Sequence, residues 1–233
     1  MSWIVSLGLL AVLSDLPTAP GIHQLTLDVP EAGRIFYGVS VPAGYDRARP
    51  TPLVVALHSG GERMRYYGAA FTRGLVEPAL RDLHPIIVAP DCPTNAWTDG
   101  AADRAVMAVV AEAMRSYNID RRRILVVGFS MGGRGTWFEA ARHGDLFTAA
   151  IPMAASIGDL AEADLARQPT YIIHSRNDEI VPFAPAARNA RALADAGRMV
   201  HFEAVEGLTH FEMFRYVDAL RRGGRWVAEQ WKN

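Results

Sequence analysis

Cysteine and net charge are both scarce in this sequence. Cys92 is the single cysteine in 233 residues, so no disulfide can form within the chain and the fold must depend on its hydrophobic core. One cysteine also leaves the redox compartment open. The 24 Lys and Arg residues nearly cancel the 25 Asp and Glu residues, and no basic stripe interleaved with aromatic residues is present. This balance argues against nucleic acid as a partner and favours a small, uncharged or weakly charged ligand.

A long apolar run is also lacking. The apolar start MSWIVSLGLLAVL, residues 1–13, is too short for a membrane span, so we expect no stable membrane insertion. It resembles a signal-peptide core but has no Lys or Arg before it, and cleavage after Ala19 would leave Pro20 first. A secreted or periplasmic protein with a signal peptide and a cytoplasmic protein with a loosely ordered start both remain open. We assign 1–20 to this segment and 21–233 to one domain.

Short strands that are apolar on both faces occupy most of the chain after a predicted hairpin. The hairpin comprises His23–Val29 and Arg34–Val41, with a turn at PEAG between them. The apolar strands that follow are Leu53–His58, Ile86–Pro90, Ile124–Phe129, Ala149–Ala154 and Tyr171–Ser175. Strands of this kind belong inside a sheet that helices cover on both sides.

Segments with helical spacing alternate with these strands. They are Ala101–Tyr117, Arg134–His143, Pro185–Ala196 and Phe214–Trp231, the last with an expected break at Gly223 and Gly224. The alternation predicts an α/β fold with a mostly parallel, doubly wound sheet, an N-terminal antiparallel hairpin and no large lid.

One serine follows a buried strand directly. Gly128 and Gly132 flank Ser130 in the stretch GFSMGG, and small neighbours allow the sharp strand-to-helix turn that exposes a serine hydroxyl. The alternative is a glycine-rich turn in which Ser130 only caps the helix. The position of the motif between an apolar strand and a helix favours a nucleophile.

A serine nucleophile needs a base and an acid that orients the base. His210 follows the strand-like stretch Val200–Gly207 and is the candidate base among seven histidines. Asp178 follows the last strand named above and is the candidate acid, although its neighbour Glu179 could replace it. The chain order serine, aspartate, histidine is that of α/β-hydrolases and differs from those of chymotrypsin and subtilisin.

Backbone groups beside Ser130 are candidates for an oxyanion hole. The N–H of Met131 follows the serine, and a second N–H is expected from the loop HSGGE, either from Gly60 or from Ser59. Large aromatic side chains in the loops at the same end are candidates for an acyl or aryl pocket, and packing roles are equally compatible with their positions. These residues are Trp97, Tyr66, Phe183 and Phe211.

The motifs together resemble a known superfamily. The chain resembles the α/β-hydrolase superfamily, and within it bacterial phospholipase/carboxylesterase and prolyl-oligopeptidase-like esterases. The stretches that carry this resemblance are LHSGGE, IIVAPDCP, RILVVGFSMGGRGTWFEAARHGDLFTAAIPMAA, HSRNDEIVP and EGLTH. The resemblance implies Ser130 as nucleophile, Asp178 as acid, His210 as base and an oxyanion hole from Met131 and the Ser59–Gly60 loop. The chain departs from the family at Ser59 and Ser175, where the family often has glycine.

The sequence therefore predicts a serine esterase that cleaves small carboxylic esters, preferably short-chain or aryl esters, through an acyl-enzyme. The mechanism requires no metal or organic cofactor. A peptidase or amidase and a thioesterase remain alternatives on the same three residues. A non-catalytic binding module is disfavoured because it would be expected to lack one of them. Nothing in the sequence indicates an oligomeric state.

Overall fold

A computed structural model of the chain describes residues 16–62, 64–161 and 164–232. The segment 1–15, which includes most of the predicted signal-like start, lies outside the described residues. Leu16 and Pro17, which also belong to the predicted start 1–20, pack on the domain. Leu16 is buried, and the carbonyl of Pro17 accepts a hydrogen bond from the hydroxyl of Tyr117 at 2.6 Å. Packing therefore extends further towards the N-terminus than the expected boundary at residue 21.

An eight-stranded mixed sheet forms the centre of the fold, with the strand order β1-β2-β4-β3-β5-β6-β7-β8. The strands β1 and β2 form the expected antiparallel hairpin, and β2 pairs antiparallel with β4. All pairs from β4 through β3 to β8 are parallel. The strands are β1 (Gly21–Val29), β2 (Gly33–Val41), β3 (Thr51–Leu57), β4 (Ile86–Pro90), β5 (Ile119–Phe129), β6 (Ala149–Met153), β7 (Thr170–Ser175) and β8 (Val200–Val205).

Helices cover both faces of this sheet, as the alternating pattern predicts. Along β3, Leu53 faces one layer with Val106 of helix α3, while Val54 faces the other layer with Leu220 of helix α6. The helices are α1 (Tyr67–Phe71), α2 (Glu77–Leu80), α3 (Gly100–Ser116), α4 (Met131–Arg142), α5 (Phe183–Asp195) and α6 (Val217–Gln230). The α/β fold predicted from the sequence, with a mostly parallel sheet and an N-terminal antiparallel hairpin, is confirmed. Each helix of the described residues is too short or too polar to span a bilayer.

One expectation about the helices is wrong. Helix α6 continues through Gly223 and Gly224 without a break. A methyl group on Gly224 would lie 2.5 Å from the side chain of Leu80, so this glycine permits close helix packing rather than ending a helix. The helical run through α1 and α2, connected by the π-helical turn Thr72–Val76, was not predicted from the sequence.

Candidate active site

Ser130 lies at a sharp turn between β5 and α4. Its backbone has φ 56° and ψ −115°, a combination that costs a non-glycine residue on the order of 1–3 kcal/mol. The turn is held on both sides, because the N–H of Ser130 donates to the carbonyl of Met153 and the N–H of Arg134 donates to the carbonyl of Ser130, each at 2.9 Å. A strained serine held in this way has its hydroxyl at the carboxyl edge of the sheet.

The flanking glycines permit a close approach of backbone to backbone. A methyl group on Gly132 would lie 1.9 Å from the carbonyl oxygen of Leu57 in β3. A methyl group on Gly128 would lie 2.2 Å from the carbonyl oxygen of Gly132. A side chain at Gly132 would separate α4 from β3, and thereby Ser130 from the loop that follows β3, whereas one at Gly128 would separate α4 from β5.

Three side chains from three strand exits form one hydrogen-bonded chain. The Oγ of Ser130 lies 2.7 Å from Nε2 of His210, and Nδ1 of His210 lies 2.8 Å and 3.0 Å from the two carboxylate oxygens of Asp178. His210 and Asp178 are both buried. The structure therefore brings together the three residues that the sequence analysis selected.

The surroundings of Asp178 favour its ionised form. Burial raises the pKa of its carboxyl, but hydrogen bonds from His210 and from the backbone N–H groups of Val181 and Ile180 outweigh burial and hold the pKa below its ordinary value. The two backbone bonds measure 2.7 Å and 3.0 Å and both end on Oδ1. Asp178 is thus oriented by the loop that follows it, with Oδ2 left to face the imidazole.

Glu179 contacts the same histidine differently. Its carboxylate accepts a hydrogen bond from the backbone N–H of His210 at 3.0 Å, whereas the imidazole faces Asp178. Of the two acidic neighbours, Asp178 is therefore the one placed to orient the ring, and Glu179 holds the loop.

A second histidine lies behind the acid. His174 is fully buried in β7, and its Nε2 bonds the carbonyl of Val181 at 2.8 Å. Burial lowers the pKa of His174, so it is neutral at neutral pH. Its imidazole lies 3.8 Å from Asp178 and supports the turn from behind.

The loop after β3 is anchored by His58. Nδ1 of its ring lies 2.7 Å from the carbonyl oxygen of Ser59, and its Nε2 accepts the N–H of Cys92 at 3.0 Å. Burial lowers the pKa of His58 to about 4, which fits a neutral ring that donates through one nitrogen and accepts through the other. Gly60, two residues after His58, lies beside Met131, the first residue of α4.

Asp91 is a residue that sequence reasoning missed. Its carboxylate accepts the backbone N–H groups of Tyr66 and Gly68 at 2.5 Å and 2.8 Å and so holds the start of α1. Burial raises the pKa of Asp91 to about 6. The available signal was its position, since an aspartate at the exit of β4 lies at the same edge of the sheet as the other exits.

A small cavity opens beside the loop that follows β3. Its volume is about 180 Å³, and polar and apolar residues line it together. Its lining includes Ser59, Gly60, Met64, Tyr67, Asp91 and Met131. The cavity therefore adjoins the N-terminus of α4, where Ser130 is located.

The predicted pocket aromatics occupy four different environments. Trp97 is fully buried, with its indole N–H on the carbonyl of His58 at 2.9 Å, so its expected substrate contact is wrong. Tyr66 packs edge-on against Phe36, and Tyr67 rather than Tyr66 lines the cavity beside the loop after β3. Phe183 packs on Phe202 and lines a separate groove along α5. Phe211 is 76% exposed, and its ring centroid lies 6.1 Å from that of His210.

Comparison with protein families adds a second line of observation. A family model described as the dienelactone hydrolase family matches residues 91–214, which is just over half of the 233-residue chain. The chain belongs to the dienelactone hydrolase family. The matched stretch contains Ser130, Asp178 and His210, whereas the loop at Ser59 and Gly60 lies outside it. The resemblance to the α/β-hydrolase superfamily is confirmed.

Solved structures with the same fold include esterases and serine hydrolases. A thermostable esterase superposes with a TM-score of 0.73 at 28% identity, over 89% of this chain and 62% of that chain. This member of the dienelactone hydrolase family therefore spans less than two thirds of that esterase. The substrate-bound fluorophosphonate-binding serine hydrolase F of Staphylococcus aureus gives 0.71 at 16% identity, over 89% and 98% of the two chains.

A ferulic acid esterase gives a TM-score of 0.73 at 19% identity, over 89% of this chain and 97% of that chain. At 16% and 19% identity the likeness shows the fold alone. No curated protein matches the chain. Membership of the dienelactone hydrolase family and the similarity to the thermostable esterase at 28% identity together support a carboxylic ester hydrolase.

Proposed function

We propose that this chain is a serine hydrolase that cleaves carboxylic esters through Ser130, His210 and Asp178. The hydrogen-bonded sequence from Ser130 Oγ through the imidazole to the buried carboxylate, at 2.7 Å and 2.8 Å, is the observation that carries the proposal. A neutral serine hydroxyl is a weak nucleophile, and this arrangement is the one that removes its proton during attack.

The two steps of the reaction use the same groups. His210 takes the proton of Ser130 as Oγ attacks the ester carbonyl, and Asp178 stabilises the imidazolium that forms. The imidazolium then gives this proton to the leaving alcohol as the C–O bond breaks, which leaves an acyl-serine. Water, activated by His210, attacks the acyl-serine and releases the carboxylic acid and the free enzyme.

We assign the oxyanion hole to the backbone N–H groups of Met131 and Gly60. Met131 is the first residue of α4, so its N–H has no partner within the helix and the helix dipole favours negative charge there. Gly60 packs against Met131, while the hydroxyl of Ser59 contacts that of Tyr67 at 2.7 Å. Removal of one such donor typically costs about 3–4 kcal/mol of transition-state stabilisation.

Short-chain and aryl esters fit the surroundings of Ser130. The cavity of about 180 Å³ is smaller than the roughly 300–1,000 Å³ of pockets for drug-sized ligands. Tyr67 and Met131 supply apolar lining for a small acyl group, and the exposed ring of Phe211 offers a surface for an aromatic one. The ferulic acid esterase among the structural neighbours is consistent with the aryl alternative.

An active-site probe and a substrate panel test the proposal. A fluorophosphonate should form a covalent adduct on Ser130, mapped by peptide mass spectrometry, and the Ser130→Ala variant should remain unlabelled. Labelling of another serine would disprove the assignment of the nucleophile. Turnover should be fastest on short p-nitrophenyl and aryl esters in a panel that also contains a thioester and an aminoacyl anilide. Preference for the anilide would identify a peptidase or amidase, and preference for the thioester would identify a thioesterase.

A further inference from the structure

Two carboxylates and a histidine converge in the interior between α3 and α4. Asp103 lies in the first turn of α3, Glu139 lies in the last turn of α4 and His143 follows that helix directly. One oxygen or nitrogen atom from each residue lies within 4.8 Å of those of the other two. Ser130 precedes the other end of α4, which is about 18 Å away at 1.5 Å per residue. The cluster is therefore separate from the ester-cleaving site.

Glu139 is the unusual member of this cluster. Its side chain has no exposed surface, and neither of its carboxylate oxygens has a hydrogen-bond partner. Buried polar groups are almost always satisfied, since an unsatisfied one costs about 1–3 kcal/mol and a charged one costs more. Oε2 of Glu139 lies 3.6 Å from Nε2 of His143. Both oxygens of this carboxylate thus remain available to a ligand in a protected interior.

The other two side chains converge on the same point. Oδ1 of Asp103 lies 2.6 Å from Nε2 of His143, so both carboxylates meet at one ring nitrogen. Oδ2 of Asp103 accepts the Nε–H of Arg142 at 3.0 Å, which fixes the carboxylate and leaves Oδ1 facing the cluster. His143 is 23% exposed, so an ion could enter from its side.

We propose that Asp103, Glu139 and His143 bind a divalent transition-metal ion such as Zn²⁺. One imidazole nitrogen and two carboxylate oxygens are ligands that Zn²⁺ accepts, and water would complete a tetrahedral shell. Ligand atoms around Zn²⁺ lie roughly 3.3–3.5 Å apart, given metal–ligand distances of about 2.0–2.2 Å. The separation of 3.6 Å between Glu139 and His143 already has this size, and the Asp103–His143 contact of 2.6 Å has to lengthen on binding.

The proposed ion acts on the packing of the domain. The ion joins α3 to the helix that begins beside Ser130. Its role is therefore to stabilise the domain, and it takes no part in ester cleavage.

Calorimetric titration of Zn²⁺ into the chelator-treated full chain tests the site. We expect one equivalent to bind and the melting temperature to rise with Zn²⁺ concentration. Glu139→Gln keeps the side-chain volume, and His143→Gln removes the nitrogen ligand. Each should weaken Zn²⁺ binding by at least about tenfold and abolish the rise in melting temperature. The control His84→Asn removes an exposed histidine elsewhere and should bind Zn²⁺ as the unaltered chain does.

The proposal is decided by which variants lose Zn²⁺ binding. If Zn²⁺ does not bind, or if it binds both cluster variants as well as the unaltered chain, the proposal is wrong. Loss of binding in His210→Ala, with the cluster variants unaffected, would place the ion at the ester-cleaving site and would also overturn it. Melting curves in the presence of chelator establish that each variant folds. Should Glu139→Gln fail to fold, the partly exposed His143→Gln provides the same test.

Discussion

The hydroxyl of Ser175 donates a hydrogen bond to the backbone carbonyl of Leu208. Ser175 is the last residue of β7, three positions before Asp178, and Leu208 lies two positions before His210. The same hydroxyl accepts the backbone N–H of Asn177 at 3.1 Å. The side chain of Ser175 thus joins the loop that carries Asp178 to the loop that carries His210.

Replacement of Ser175 should therefore disturb catalysis as well as stability. Ser175→Ala leaves the buried carbonyl of Leu208 unpaired, which should lower the free energy of unfolding by about 1–3 kcal/mol. Displacement of the His210 loop should lower kcat by about tenfold to a hundredfold. Ester kinetics and urea unfolding measure the two effects. The control Asn177→Ala removes an exposed hydrogen bond to Gly207 in the same loop and should have the smaller effect. An unchanged kcat in Ser175→Ala would contradict the prediction.

The two adjacent acids should differ sharply in their contribution to turnover. Asp178→Asn preserves the shape of the side chain but removes the charge that stabilises the imidazolium, so kcat should fall by about 10⁴-fold. Glu179→Gln still offers an oxygen to the backbone N–H of His210, so kcat should fall by less than about tenfold. Steady-state kinetics on one p-nitrophenyl ester compare the two. Equal losses would mean that the carboxylates share the role.

Two glycine substitutions should separate catalytic geometry from ordinary packing. In Gly132→Ala the new methyl group meets the backbone oxygen of Leu57 at 1.9 Å, so α4 must move away from β3 and Met131 from Gly60. We expect kcat to fall by at least about a hundredfold, as for loss of an oxyanion donor. Gly224→Ala meets side-chain atoms of Leu80 and Leu83 and no backbone atom, far from Ser130 in the chain, so it should leave kcat unchanged. Normal turnover by Gly132→Ala would show that the oxyanion hole is assigned wrongly.

His58 should make the fold sensitive to acid. Its pKa is about 4 in the folded chain against 6.5 in the unfolded chain. Below pH 6.5 the unfolded chain takes up a proton that the folded chain does not. The contribution of His58 to stability is therefore complete above pH 6.5 and is lost as the pH falls towards 4. The loss should amount to about 3 kcal/mol, at 1.36 kcal/mol per pKa unit.

Asp91 works in the opposite direction over part of this range. The pKa of Asp91 is about 6 in the folded chain and exceeds the ordinary value of 3.8. Its contribution to the free energy of unfolding therefore increases as the pH falls through 6. Urea unfolding across the pH series should give a flatter loss for His58→Gln than for the unaltered chain and a steeper loss for Asp91→Asn. Parallel curves for all three proteins would refute this account.

The strand exits were predictable because hydrophobic pattern and motif spacing are local properties. The strand Ile86–Pro90 was predicted with its correct bounds, and Ser130 was placed between β5 and α4. The helix break predicted at Gly223 and Gly224 was wrong because packing, which is not a local property, decides what a glycine pair does. A glycine pair reads as a helix end in sequence, but here Gly223 and Gly224 face Tyr171 and Leu80 across a packed interface, and only the assembled core shows that need for space.

By itself, the sequence determined the α/β class, the serine turn and the three residues at separate strand exits, because parallel strands bring their carboxyl ends to one edge whatever the loops do. Only the tertiary structure decided what each side chain contacts. It placed Trp97 in the core, turned Glu179 to a backbone N–H and Asp178 to the imidazole, and joined Ser175 to Leu208. These outcomes depend on distances between segments far apart in the chain, and no local pattern carries that information.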